Sequence, residues 1–140
     1  MRNPAFFQKL TEELSSSGDK MADMRQQVRL LIRRFGADNL RKARELLVKM
    51  TAGEEVNPGD RLILAQIYEY ERMVDDARRQ FEAMAKDKAT SLSYIGGYVA
   101  FLLRQRNLEE ADRQLIRLET EAPLSDGVLD LRVQWLVARR

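Results

Sequence analysis

The residues of this chain that come nearest to catalytic equipment are three adjacent acidic pairs, Glu12-Glu13, Asp75-Asp76 and Glu109-Glu110. Carboxylates perform acid/base chemistry, or hold a divalent cation, when their oxygens converge on one point. Neighbouring residues on a helix point about 100° apart, so no adjacent pair converges. The second and third pairs also fall where helices begin, and there a carboxylate is favoured by the helix macrodipole. The chain has no cysteine and no histidine. That removes the thiolate nucleophile, the commonest general base and the commonest transition-metal ligand together. Gly96-Gly97 is no phosphate loop, because no strand precedes it and no Lys-Ser/Thr follows. Two glycines inside a helix cost roughly 1 kcal/mol each against alanine. They point either to close helix packing or to room for a ligand backbone. Arg33-Arg34 and Arg78-Arg79 diverge around their helices among interspersed acids and read as solvated faces. The expectation is a protein that is not an enzyme, with no catalytic residue, no metal and no cofactor.

The elements that carry these residues are all helical. Apolar residues make up 44% and charged residues 33% of the 140, which suits one soluble helical domain with much solvated helix surface. A net charge of +2 leaves no bulk field to draw nucleic acid or an anionic membrane. No apolar run approaches the roughly 20 residues that cross a bilayer, and the N-terminal stretch turns polar at Gln8 and Lys9, too early for a signal-peptide core. A cytoplasmic location is expected.

Asn3 and Pro4 form a helix start, followed by Phe6, Phe7, Leu10 and Leu14 at helical spacing and a joint at Ser15-Ser16-Ser17-Gly18. A second helix, capped by Asp19, is placed over about residues 20–35, and Gly36 stops it. A third starts at Asn39 and a fourth covers about 60–71. Asp75 caps a fifth, a sixth runs over about 90–104, and a seventh starts at Leu108 and stops before Pro123. Asp126 caps a last one. No apolar-polar alternation marks a strand. The fold class is all-α, an α-hairpin array of seven or eight helices.

The array has a period. Val74-Asp75-Asp76-Ala77-Arg78-Arg79-Gln80-Phe81 and Leu108-Glu109-Glu110-Ala111-Asp112-Arg113-Gln114-Leu115 share one order of residue types. Ala77 and Ala111 stand 34 positions apart, and a further step back lands on Ala43. In each case a large apolar residue follows four positions later: Leu47, Phe81 and Leu115. A fixed period of about 34 is the signature of a helical-hairpin solenoid. The small residue permits close approach of two backbones, and the large one lies on the same face one turn on.

On these residues the chain resembles the tetratricopeptide repeat family, in which two antiparallel helices form each unit and units stack into a right-handed superhelix. The resemblance covers three units, 24–57, 58–91 and 92–125. It is carried by Leu64, Ala65, Tyr68, Ala77 and Phe81 in the second and by Val99, Leu102, Ala111, Leu115 and Pro123 in the third. The family's first-helix tryptophan is absent at Gln27, Arg61 and Ile95, its terminal proline occurs only as Pro123, and Arg34 stands where Tyr68 and Leu102 stand. Residues 1–18 are an N-terminal helix and joint, 19–125 the three hairpins, and 126–140 look like the additional helix that closes such arrays.

The resemblance implies a concave groove lined by the first helix of each pair. Carried over by helical phase, that groove takes Val28, Ile32 and Phe35 from the first unit. The second gives Leu62, Ile63, Gln66 and Tyr70. The third gives Gly96, Gly97, Ala100 and Leu103, and the last helix Leu131 and Gln134. The lining is largely apolar, and Val28, Ile32, Ile63, Ser93 and Gly97 stand where family members gripping a chaperone C-terminal carboxylate carry Lys, Asn and Arg. No chaperone-tail binding is expected. An apolar groove suits an amphipathic helix laid across it. The expected function is a non-catalytic protein-protein interaction module that binds a peptide or helix, as a free-standing domain or a fragment of a larger repeat protein. Its own N-terminal helix and a second copy of the chain are candidate occupants. The alternative is structural self-association as a homodimer. A nucleic-acid-binding repeat is the distant third, because the groove lacks basic and base-reading positions; neither nucleic acid nor membrane is an expected partner.

Overall fold

The computed structural model describes residues 20–140, so the helix expected over Phe6, Phe7, Leu10 and Leu14 lies outside the described residues. Seven helices and no strand are found among the described residues. They are α1 (Lys20–Arg34), α2 (Ala37–Met50), α3 (Pro58–Tyr70), α4 (Val74–Lys86), α5 (Leu92–Arg104), α6 (Leu108–Glu121) and α7 (Asp126–Ala138). None is long and apolar enough to cross a membrane. The chain divides after Met73 into two compact units, α1–α3 in the first and α4–α7 in the second.

Local chemistry moves several expected boundaries. Asn57, not Asp60, starts α3: its side-chain oxygen accepts from the Gly59 amide at 2.8 Å, and Pro58 takes the first helical position, where its missing N–H is no loss. Asp60 is instead buried and accepts from Arg25 of α1 through Nε and Nη2, at 3.0 Å each. In the same way Asn107 caps α6 by accepting from the Glu110 amide at 3.3 Å. Asn39 does not start α2, which begins at Ala37; its amide group donates to the Phe35 carbonyl at 2.8 Å. Asp75 and Asp126 fall inside the first turns of α4 and α7, and α5 begins two residues after Thr90, whose hydroxyl donates to the Met84 carbonyl at 2.8 Å.

Three helices end on a non-glycine residue in the left-handed region: Phe35 (φ 58°), Arg72 (φ 64°) and Arg106 (φ 60°). After α3 the Met73 amide donates to the Tyr68 carbonyl and the Arg72 amide to the Glu69 carbonyl. After α5 the Asn107 amide donates to Leu102 and the Arg106 amide to Leu103. Both are Schellman closures, a motif that prefers glycine at its left-handed position. A side chain there carries steric strain that glycine lacks, partly offset by glycine's looser unfolded state. Arg72→Gly is therefore expected to stabilise the protein by about 0.5–1 kcal/mol, read as a shifted urea midpoint at unchanged slope.

In the first unit Val28, Ala43, Leu47, Met50, Leu64 and Ile67 make one core. Asp23 is also buried there, in the first turn of α1, where the macrodipole favours its charge; among the described residues neither of its carboxylate oxygens has a hydrogen-bond partner. In the second unit Ile95, Val99, Leu115, Leu118 and Val128 make another core. There α7 is held to α6 by polar contacts as well. Arg132 meets Glu119 through two nitrogens, at 3.0 and 2.6 Å, and Asp112 at 2.8 Å. Its guanidinium lies 4.9 Å from the centre of the Trp135 ring. The Trp135 indole N–H donates to the Leu108 carbonyl at 2.8 Å. The hydrogen bond from Arg132 holds the Glu119 carboxyl below its ordinary range, against the opposing effect of burial.

Candidate protein-docking surface

The second and third acidic pairs occupy helix starts, and Glu12-Glu13 lies outside the described residues. Asp75 and Asp76 lie in the first turn of α4 and pair with Arg78 and Arg79 one turn on, at 2.8 Å each. Glu109 and Glu110 lie in the first turn of α6 and share Arg113, at 2.7 and 2.6 Å. These are ion pairs along one helix, each worth a few tenths of a kcal/mol.

The thirteen expected groove residues divide between the two units. In the first unit, Ile32, Phe35, Ile63, Gln66 and Tyr70 come together around one apolar depression of about 180 Å³. Positions 63, 66, 67 and 70 follow the i, i+3, i+4, i+7 spacing of one helix face, so α3 presents Ile63, Gln66, Ile67 and Tyr70 side by side. Leu40 of α2 and Ile67 complete the lining. Ile67 was absent from the expected groove, although its place one turn after Ile63 on the same helix face would have found it. Leu40, on the second helix of its hairpin, had no such signal. Val28 is a correction: it is 2% exposed and belongs to the core with Leu47 and Met50, because α2 closes over that side of α1. Leu62 is half-buried and outside the depression.

The rim of the depression is aromatic. Phe35 and Tyr70 are 51% and 63% exposed, and their rings meet edge to face with centroids 5.5 Å apart. Phe35 sits in the left-handed region directly before Gly36, although glycine would take that conformation without strain.

In the second unit Gly96 and Leu131 line a depression of about 370 Å³ with Leu92, Leu118 and Val128. Leu103 packs against the core instead. Gly97 and Ala100 are half-buried and outside that depression. Gln134 is exposed and donates to Asp130 at 2.8 Å. Close packing does not demand glycine at position 96. A Cβ added there would meet Leu131 Cδ1 at 3.7 Å, an ordinary contact. Gly96→Ala is accordingly expected to stabilise the protein by about 1 kcal/mol, the full helix-propensity difference, measured as a raised thermal midpoint.

Comparison with protein-family models, with curated proteins and with solved structures gives no match for this chain.

Proposed function

We propose that this chain is a tetratricopeptide-like α-solenoid that serves as a non-catalytic protein-interaction module, and that the apolar depression of its first unit takes an apolar side chain of a bound peptide or helix. The observation that carries this reading is the exposed Phe35–Tyr70 pair at the mouth of that depression. Large, rigid aromatic side chains bring much contact area at small entropic cost, and they are enriched where proteins bind one another. The repeat reading is supported by helix starts at 58, 92 and 126, a step of 34. It is supported further by the small–large pairs Ala43/Leu47, Ala77/Phe81 and Ala111/Leu115, all of which are buried.

The test is capture of a partner by the wild-type chain, by Tyr70→Ser and by Phe35→Ser, with circular dichroism as the control for folding. Ile63→Asp, on the wall of the depression, is the stronger variant. A partner bound by the wild type and weakened at least tenfold by Tyr70→Ser supports the reading. A partner bound equally by all variants that keep their fold overturns it.

A further inference from the structure

Gly96 weakens its helix for no reason that its neighbours supply. It stands inside α5, where glycine is roughly 1 kcal/mol less favourable than alanine. A Cβ there would make an ordinary contact with Leu131 Cδ1, at 3.7 Å. Leu62 stands 34 positions earlier, so a leucine takes the matching place in α3. A local choice that works against the fold without a packing reason is expected where the protein has a function to serve. What the missing side chain leaves is space, because Gly96 lines the depression of about 370 Å³ in the second unit. Gly127 of α7 lines it too, and a Cβ there would meet Ser125 Oγ at 3.8 Å, again without a clash.

The size and lining of this depression suit a small molecule better than a protein. Its volume of about 370 Å³ falls in the range of ligand pockets, about 300–1,000 Å³. Leu92 of α5, Leu118 of α6 and Leu131 of α7 give it aliphatic walls on three helices. Its lining includes neither an aromatic side chain nor an arginine, the side chains that anchor protein–protein contacts. No lining residue is charged, and the positive end of the α7 dipole is already met by Asp126 in the first turn. An ionised head group therefore finds no partner there. Ser93 and Ser125 are the polar positions. The Ser93 hydroxyl is shared with Ser91 at 3.0 Å. Ser125 holds the N-cap position of α7, yet its side chain caps no amide, and its hydroxyl is left for a ligand.

We infer that the depression between α5, α6 and α7 is a binding site for a small, uncharged aliphatic molecule that ends in a hydroxyl group. The chain of that molecule lies against the three leucines, in the space that Gly96 leaves open, and its hydroxyl meets Ser125. The site belongs to the second unit and does not depend on the aromatic rim of the first.

The experiment titrates octanol into the protein and follows side-chain methyl groups by NMR. Saturable shifts are expected at Leu92, Leu118, Val128 and Leu131. Octanoate carries the same chain with an ionised head at neutral pH, and it should bind at least tenfold more weakly. Gly96→Leu restores the side chain found at position 62 and should abolish the octanol shifts, with Gly96→Met as the second variant should leucine not fold. Gly96→Ala should weaken binding in part while raising the thermal midpoint of the ligand-free protein. Those opposite signs separate a filled site from structural damage. Tyr70→Ser, at the docking surface of the first unit, should leave octanol binding unchanged, so failure of either reading can be told from failure of the other. Octanol shifts that do not saturate overturn the inference. So does a folded Gly96→Leu or Gly96→Met variant that binds octanol as tightly as the wild type, and equal binding of octanoate overturns the uncharged head group.

Discussion

Replacing Phe81 by alanine is expected to lower the unfolding free energy by about 3–5 kcal/mol, the range for deleting a buried aromatic ring. The ring is 1% exposed. It stacks on Phe101 with centroids 4.7 Å apart and on Tyr98 at 5.5 Å, with interplanar angles of 29° and 11°. Each aromatic pair adds about 0.5–1.5 kcal/mol beyond the area it buries, and an alanine leaves a void between two large rings that cannot both collapse into it. Against a total stability of about 5–15 kcal/mol, the loss is enough to unfold a marginal domain at physiological temperature. Phe81→Leu keeps most of the volume and should cost less than half as much. Urea denaturation of the wild type and both variants checks the order. An alanine variant destabilised by less than 1 kcal/mol would show that Phe81 is not a keystone of its unit.

The second large effect is alkaline. Tyr98 is buried, and its phenol is pushed up to about 12, chiefly by loss of hydration, with Glu110 and Glu82 adding to the rise and Arg78 opposing it. In the unfolded chain the same phenol ionises near 10. Below pH 10 the side chain is neutral in both states, and its contribution to stability is fully present. Between 10 and 12 the unfolded state sheds the proton while the folded state still holds it, so stability falls with rising pH. The loss accumulates at up to about 1.4 kcal/mol per unit, or about 2 kcal/mol by pH 12. Tyr98→Phe keeps the stack on Phe81 and has no proton to lose. The difference in stability between wild type and Tyr98→Phe should therefore be flat up to pH 10 and then change steadily in favour of the variant. A difference that stays flat to pH 12 would mean that the hydroxyl is hydrated in the folded protein.

The helices were legible because their signals are local. The spacing of Leu40, Ala43, Leu47 and Met50, or of Ala111, Leu115 and Leu118, identifies an apolar face without reference to any other part of the chain, and those residues are buried. Asp75-Asp76 and Glu109-Glu110 were legible as helix starts for the same reason, since each lies in a first turn and pairs with an arginine about one turn later. Boundaries were less so. Asn57 and Asp60 both have the chemistry of a cap, and only the position of Arg25 draws Asp60 inward and leaves the cap to Asn57.

What periodicity cannot tell is which part of an apolar face is covered. Val28 and Phe35 lie on the apolar side of one helix pattern, yet α2 closes over Val28, while Phe35 follows the last turn of α1 in a left-handed conformation and stays half exposed. Val99 and Val133 are the same residue type at the same offset from the start of their helices, α5 and α7. One is fully buried and the other 56% exposed. Sequence by itself therefore determined the all-helical class, the helix order and the 34-residue step, because these depend on residue type and spacing along a single chain. Tertiary structure alone decided which apolar residues are core and which stay exposed, because burial depends on what packs against a face as well as on the face itself.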